Sequence, residues 1–161
     1  MKKIIILSLM ALLIYLVTQC MNAEEQSFRK AKITDLKGEV MVKIGLEGNW
    51  KQAEKDMLLT QNDEIKTGKD GFAVLKFDEK GTFEAEDHDV IEVSEDTELV
   101  MDTMKYDSQK DEKKTLLKLN LGKILASASK LQGDSSFEVE TPTTIVGVRG
   151  TKYLVEYRPE E

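Results

Sequence analysis

The side chains able to do chemistry are few. His88 is the only histidine in 161 residues, set in Glu86-Asp87-His88-Asp89, and Cys20 is the only cysteine. Nucleophilic hydrolysis needs a base held beside a hydroxyl or thiol, and there is no G-x-S-x-G to supply the nucleophile. His88, in an acidic turn, is expected to be solvated. Thirty acidic residues make any pair of carboxylates chosen by eye uninformative about glycoside chemistry. The acidic clusters at 84–89 and 95–98 lack the glycine-containing loop of an EF-hand, and GVRGT at 147–151 lacks the lysine of a phosphate loop. With no thiol beyond Cys20, disulfides, C-x-x-C redox pairs and cysteine-rich zinc sites are excluded. The expectation is a non-enzymatic protein with no catalytic residue, no cofactor, no metal and no small-molecule substrate.

Charge narrows the partners. Lys2 and Lys3 are the only charges in the first 23 residues, which leaves 21 bases against 30 acids from Glu24 onward. A field of that sign repels phosphate, so nucleic-acid binding is not expected. The same two lysines open an export signal: residues 4–17 are apolar apart from Ser8 and the Tyr15 hydroxyl, a run of about 21 Å as a helix against a hydrocarbon core of roughly 30 Å. Leu16-Val17-Thr18-Gln19-Cys20 resembles a bacterial lipobox, in which the cysteine is lipidated and becomes the new N-terminus. Gln19 departs from the usual small residue there. Cleavage after Cys20 or Ala23, giving a soluble secreted form, and an uncleaved anchor are the alternatives; all three export the domain. The chain accordingly divides into a signal peptide at 1–20, a polar tether at 21–32, one β-domain at 33–157 and a tail at 158–161.

From residue 31 the pattern is that of strands. Short apolar runs recur between Gly, Asp and Asn turn signals, and no long stretch holds apolar residues at helical spacing. Residues 72–77, bounded by Asp70-Gly71 and by 78–81, predict a central strand. Phe83 with Ala85, Leu117 with Leu119 and Leu121, Ile124 with Ala126 and Ala128, Phe137 with Val139, and Tyr153 with Val155 and Tyr157 each alternate with polar neighbours, so one face of each strand points inward. The prediction is an all-β fold with little or no helix. Residues 102–114, DTMKYDSQKDEKK, interrupt this rhythm and predict a protruding hairpin loop, on which Met104 and Tyr106 project from one face as candidate partner contacts.

Five segments together resemble a known family: LKGEV at 36–40, Trp50 with Ala53, NDEIKTGKDGFAVLKF at 62–77, LNLGKILASASKL at 119–131 and FEVETPTTIVGVRGTKYLV at 137–155. Over residues 33–157 the chain resembles a FecR domain, most specifically in Thr141-Pro142 followed by Val148-Arg149-Gly150-Thr151. The resemblance implies an extracytoplasmic β-domain, a two-layered sandwich or solenoid-like, whose best-known members relay a signal from an outer-membrane receptor to a cytoplasmic sigma factor. On physical grounds Pro142, lacking an N–H, suits a corner where a strand leaves its sheet, and the glycines flanking Val148 and Arg149 allow a sharp bend that aims the guanidinium at neighbouring acceptors. Those six residues are therefore expected to be structural.

Only three residues precede the apolar run, and four follow Tyr157, so neither a cytoplasmic sigma-binding segment nor a receptor-contacting domain is expected. The leading expectation is a periplasmic or cell-surface lipoprotein, held to the membrane through Cys20, whose β-domain binds an envelope protein or polymer. The alternative is an accessory component of a FecR-type signalling system, acting on a sigma factor through a separate transmembrane partner.

Overall fold

The computed structural model describes residues 26–79, 83, 88–147 and 150–159. Among them every regular element is a strand: β1 Gln26–Phe28, β2 Lys30–Lys37, β3 Val40–Lys43, β4 Trp50–Gln52, β5 Leu58–Leu59, β6 Glu64–Thr67, β7 Phe72–Asp78, β8 Asp89–Val93, β9 Glu98–Asp107, β10 Glu112–Ser127, β11 Ser136–Glu140, β12 Ile145–Gly147 and β13 Lys152–Tyr157. Period-two burial is the cause. In β7, Ala73, Leu75 and Phe77 are buried while Phe72, Val74 and Lys76 are only partly so, and β8, β11 and the halves of β10 alternate likewise.

Hydrogen bonding joins the strands in the order β4-β3-β6-β9-β10-β8-β7-β2-β5, with β1 beside β9, β11 and β13 beside β10, and β12 beside β11. All pairs are antiparallel except β10 with β11. β7 lies between β8 and β2, inside the sheet. The sheet curls into a half-barrel around one apolar core. β10 makes the curl possible. Residues 112–121 pair with β9, whereas residues 122–127 pair with β13 and, over 124–127, with β8. Between the halves the ladder slips at Leu119/Leu121, and the inward residues change from Thr115, Leu117 and Leu119 to Gly122, Ile124 and Ala126. One extra residue reverses which face is buried, so a single strand serves two differently oriented parts of the sheet. Across the core Phe77 of β7 meets Phe137 of β11 edge to face at 5.8 Å between ring centroids. Burial of such a ring stabilises by about 1.5–3 kcal/mol.

Four expectations need correction. The segment at 21–32 is not a tether from Gln26 on: β1 pairs with β9, Arg29 is fully buried and Ala31 is in the core. Residues 102–114 are not a loop either, because β9 and β10 pair through to Asp107↔Glu112 and only residues 108–111 turn. Met104 and Tyr106 are buried on that hairpin's inner face and do not project from a loop tip. Phe83 lies outside any strand, and Ala85 falls outside the described residues.

Candidate functional site

The inward faces of four strands carry buried residues, all apolar but Thr115, until their ends, where the same parity continues into charge. Ile33 and Ala31 lead back to Arg29, Leu75 and Phe77 lead on to Glu79, Val93 and Ile91 lead back to Asp89, and Leu117 and Thr115 lead back to Lys113. The four ionic groups therefore meet at one end of the core. Arg29 Nη2 lies 2.7 Å from Asp89 Oδ2 and 2.8 Å from Glu79 Oε1, Nη1 donates to the Thr115 hydroxyl, and the guanidinium sits 5.6 Å from the Phe77 ring centroid. Lys113 Nζ stands 3.1 Å from Asp89 Oδ2 and 3.6 Å from Glu79 Oε1, and donates to Ser129 Oγ at 2.7 Å. Asp89 Oδ1 accepts from the Ser129 N–H and hydroxyl.

Two cations and two carboxylates balance, which is the condition for holding charge away from water. Burial by itself would raise the Asp89 carboxyl, but the opposing pull of Arg29, Lys113 and the Ser129 N–H holds it below the usual carboxylate range. A carboxylate depressed on folding stabilises the fold above its ordinary value of 3.8, and that contribution is lost as pH falls through the depressed value. The expected result is a melting temperature that drops steeply below about pH 4, with a shallower drop in Asp89→Asn. Asp102 and Asp107, also depressed, act in the same direction from the surface, where salt screens them. Thermal melts at low and high salt separate the two contributions; a wild-type acid dependence that salt removes entirely would contradict the role given to Asp89.

At the mouth of the network is a polar cleft of about 150 Å³ lined by Glu79, Tyr106, Asp111, Lys113, Lys130, Gln132 and Ser135. The Tyr106 hydroxyl donates to Asp111 Oδ1 at 2.7 Å, and that bond, with burial second, pushes its pKa up to about 12. Ser129 and Lys113 do not make a nucleophile and base, since the hydroxyl is committed to Asp89 and the ammonium lies against two carboxylates. His88 is packed, not solvated: its Nδ1 is 3.1 Å from the Phe77 carbonyl oxygen, which the strand pairing at its neighbour Asp89 imposes.

Thr141 is buried at the end of β11, and its N–H donates to the Thr144 oxygen at 2.8 Å while its hydroxyl accepts from the Thr144 N–H at 3.1 Å, closing the turn into β12 with Pro142 exposed at the corner. Gly150, at φ +65°, and Thr151 are exposed. Cys20, Val148 and Arg149 lie outside the described residues.

A family model described as FecR protein matches residues 63–161. The chain belongs to the FecR family. FecR proteins are envelope-associated as a rule, and the family is a regulatory and signalling one. The match takes in β6 to β13, with Glu79, Asp89, Lys113 and Ser129, whereas Arg29 arrives from β1 and β2 outside it. The FecR stretch thus supplies the acceptors and the preceding segment the guanidinium. No curated protein and no solved structure matches the chain.

The remaining surface of interest is the rim of the sheet. β1, β4, β5, β12 and β13 each pair on one side only among the described residues. Beside β4, Leu46 is 71% exposed, and Ile44 and Trp50 are also open, with Lys66 Nζ 4.3 Å from the Trp50 ring.

Proposed function

We propose that this FecR protein is a non-enzymatic binding module of the cell envelope, anchored through a lipidated Cys20, that engages a protein or envelope-polymer partner. The exposed apolar group at residues 44–50 carries this reading: three large apolar side chains within seven residues, beside an open strand, form a surface with no role in the fold's own core. Family membership supports the second reading, an accessory component of a FecR-type signalling system that regulates a sigma factor through a separate transmembrane protein.

The test of the binding surface is crosslinking in the native host followed by mass spectrometry, comparing wild type with Leu46→Ser combined with Trp50→Ala. Selective loss of one crosslinked species supports the reading, and an unchanged set overturns it. If that species is a transmembrane signalling protein, the second reading replaces the first. The anchor has its own expected result. Wild type partitions into detergent and Cys20→Ser becomes soluble or stays unprocessed, since acyl chains contribute about 0.8 kcal/mol per buried methylene; equal partitioning of the two would remove the lipid.

A further inference from the structure

β13 is the longest open edge of the sheet. β1, β4 and β12 have three residues and β5 two, lengths too short to template another strand, whereas β13 runs for six residues with neither proline nor bulge and pairs, among the described residues, only with β10. Its outward residues are Lys152, Leu154 and Glu156, with Leu154 63% exposed. Behind them on β10 lie Ser127, Leu125 and Lys123, their cross-strand partners.

We infer that β13 is a self-association edge, pairing antiparallel with β13 of a second copy of this chain about a two-fold axis through Leu154. The sequence KYLVEY is complementary to itself in that register. Lys152 faces the other copy's Glu156, Leu154 faces its counterpart, and Glu156 faces the other copy's Lys152, all on one face of the joined sheet. Behind the seam Leu125 and Leu154 of both copies form a row of four leucines. Each Glu156 stands between its own Lys123 and the other copy's Lys152. Such cross-strand pairs of opposite charge and of aliphatic side chains stabilise antiparallel sheets, and the closed two-fold arrangement ends there instead of growing into a fibre. The Glu156 contact with Arg158 at 3.0 Å is solvent-exposed and does not hold the carboxylate against a new partner. An edge-strand pairing with an unrelated protein would not require position 154 to meet itself.

The two-fold register is read directly by cysteine. Residues on the axis have Cβ atoms about 4.5–5.5 Å apart, within reach of a disulfide, whereas Lys152 and its counterpart are four residues out of register, roughly 13 Å. In the full chain expressed in its host, Leu154→Cys is expected to give a disulfide-linked dimer on a non-reducing gel, and Lys152→Cys and the wild type, with Cys20, are expected to give none. Sedimentation of the full chain in density-matched detergent is expected to show twice the monomer mass. Lys152→Glu turns two attractive pairs into two repulsive ones and weakens association on the order of tenfold, and adding Glu156→Lys restores it. A monomeric mass, equal crosslinking at 152 and 154, or a double charge reversal no better than the single overturns the proposal.

Discussion

Arg29→Ala is expected to destabilise the domain by about 3–5 kcal/mol, the cost of leaving a buried charge without its partner. The guanidinium is fully buried and supplies one nitrogen to both Asp89 and Glu79 and another to Thr115. With it gone, Asp89 keeps, among the described residues, Lys113 and Ser129, and the stack on Phe77 is lost as well. Arg29→Lys retains the charge but cannot span three acceptors with a planar fork, so it recovers part of the loss and no more. Removing both charges together, Arg29→Met with Asp89→Asn, is expected to cost less than the two single changes added, because neither partner is left behind. Urea unfolding of the four proteins measures this. A loss under about 1 kcal/mol for Arg29→Ala would mean that the network is not holding β1 and β2 to the rest of the sheet.

Gly122→Ala comes next, with an expected loss on the order of 2–5 kcal/mol from backbone strain and overpacking together. Gly122 stands at φ +97° where β10 changes face, and a Cβ there would lie 2.3 Å from Thr97 Oγ1 and 2.5 Å from the Asp96 carbonyl oxygen. Neither obstacle can move cheaply. Thr97 is fully buried, its hydroxyl accepts from the Lys123 N–H at 3.0 Å, and its own N–H donates to Thr67 Oγ1 at 3.0 Å, so the clash spreads into the corner that joins β6, β9 and β10. Gly133→Ala is the control. It also carries a positive φ, but the three heavy atoms nearest a Cβ there belong to the Glu112 side chain, whose carboxyl end can swing away at the cost of one exposed hydrogen bond from the Asp134 N–H. Its expected loss is about 1–2 kcal/mol. Chemical denaturation of both variants decides the matter, and equal losses would deny Gly122 its place at the switch.

Period-two alternation determined from sequence alone that the chain is all-β, because a residue's face in a strand depends only on its parity. It placed Leu117 and Leu119, Ile124 and Ala126, and Phe137 and Val139 inward, as they are. The FecR motifs at 62–77, 119–131 and 137–155 were legible too, since turns and corners demand particular residue types locally. The same parity carried one step further held a signal for the charge network: Arg29, Ala31 and Ile33 share a phase, as do Asp89, Ile91 and Val93. Polar composition around Arg29 hid it, and nothing local says that charges at the ends of four separate strands will neutralise one another.

Where the phase slips, sequence fails for a physical reason. The β9–β10 ladder shifts beside Asp102, so Leu99 and Met101 point inward at odd positions and Met104 and Tyr106 at even ones. A bulge depends on what the partner strand does, and the charged string at 102–114 concealed a buried hairpin behind the look of a solvated loop. Which strands lie at the rim is likewise a property of the closed sheet. Sequence determined the faces of KYLVEY; only the pairing of β13 with β10 on one side decided that its other side is open.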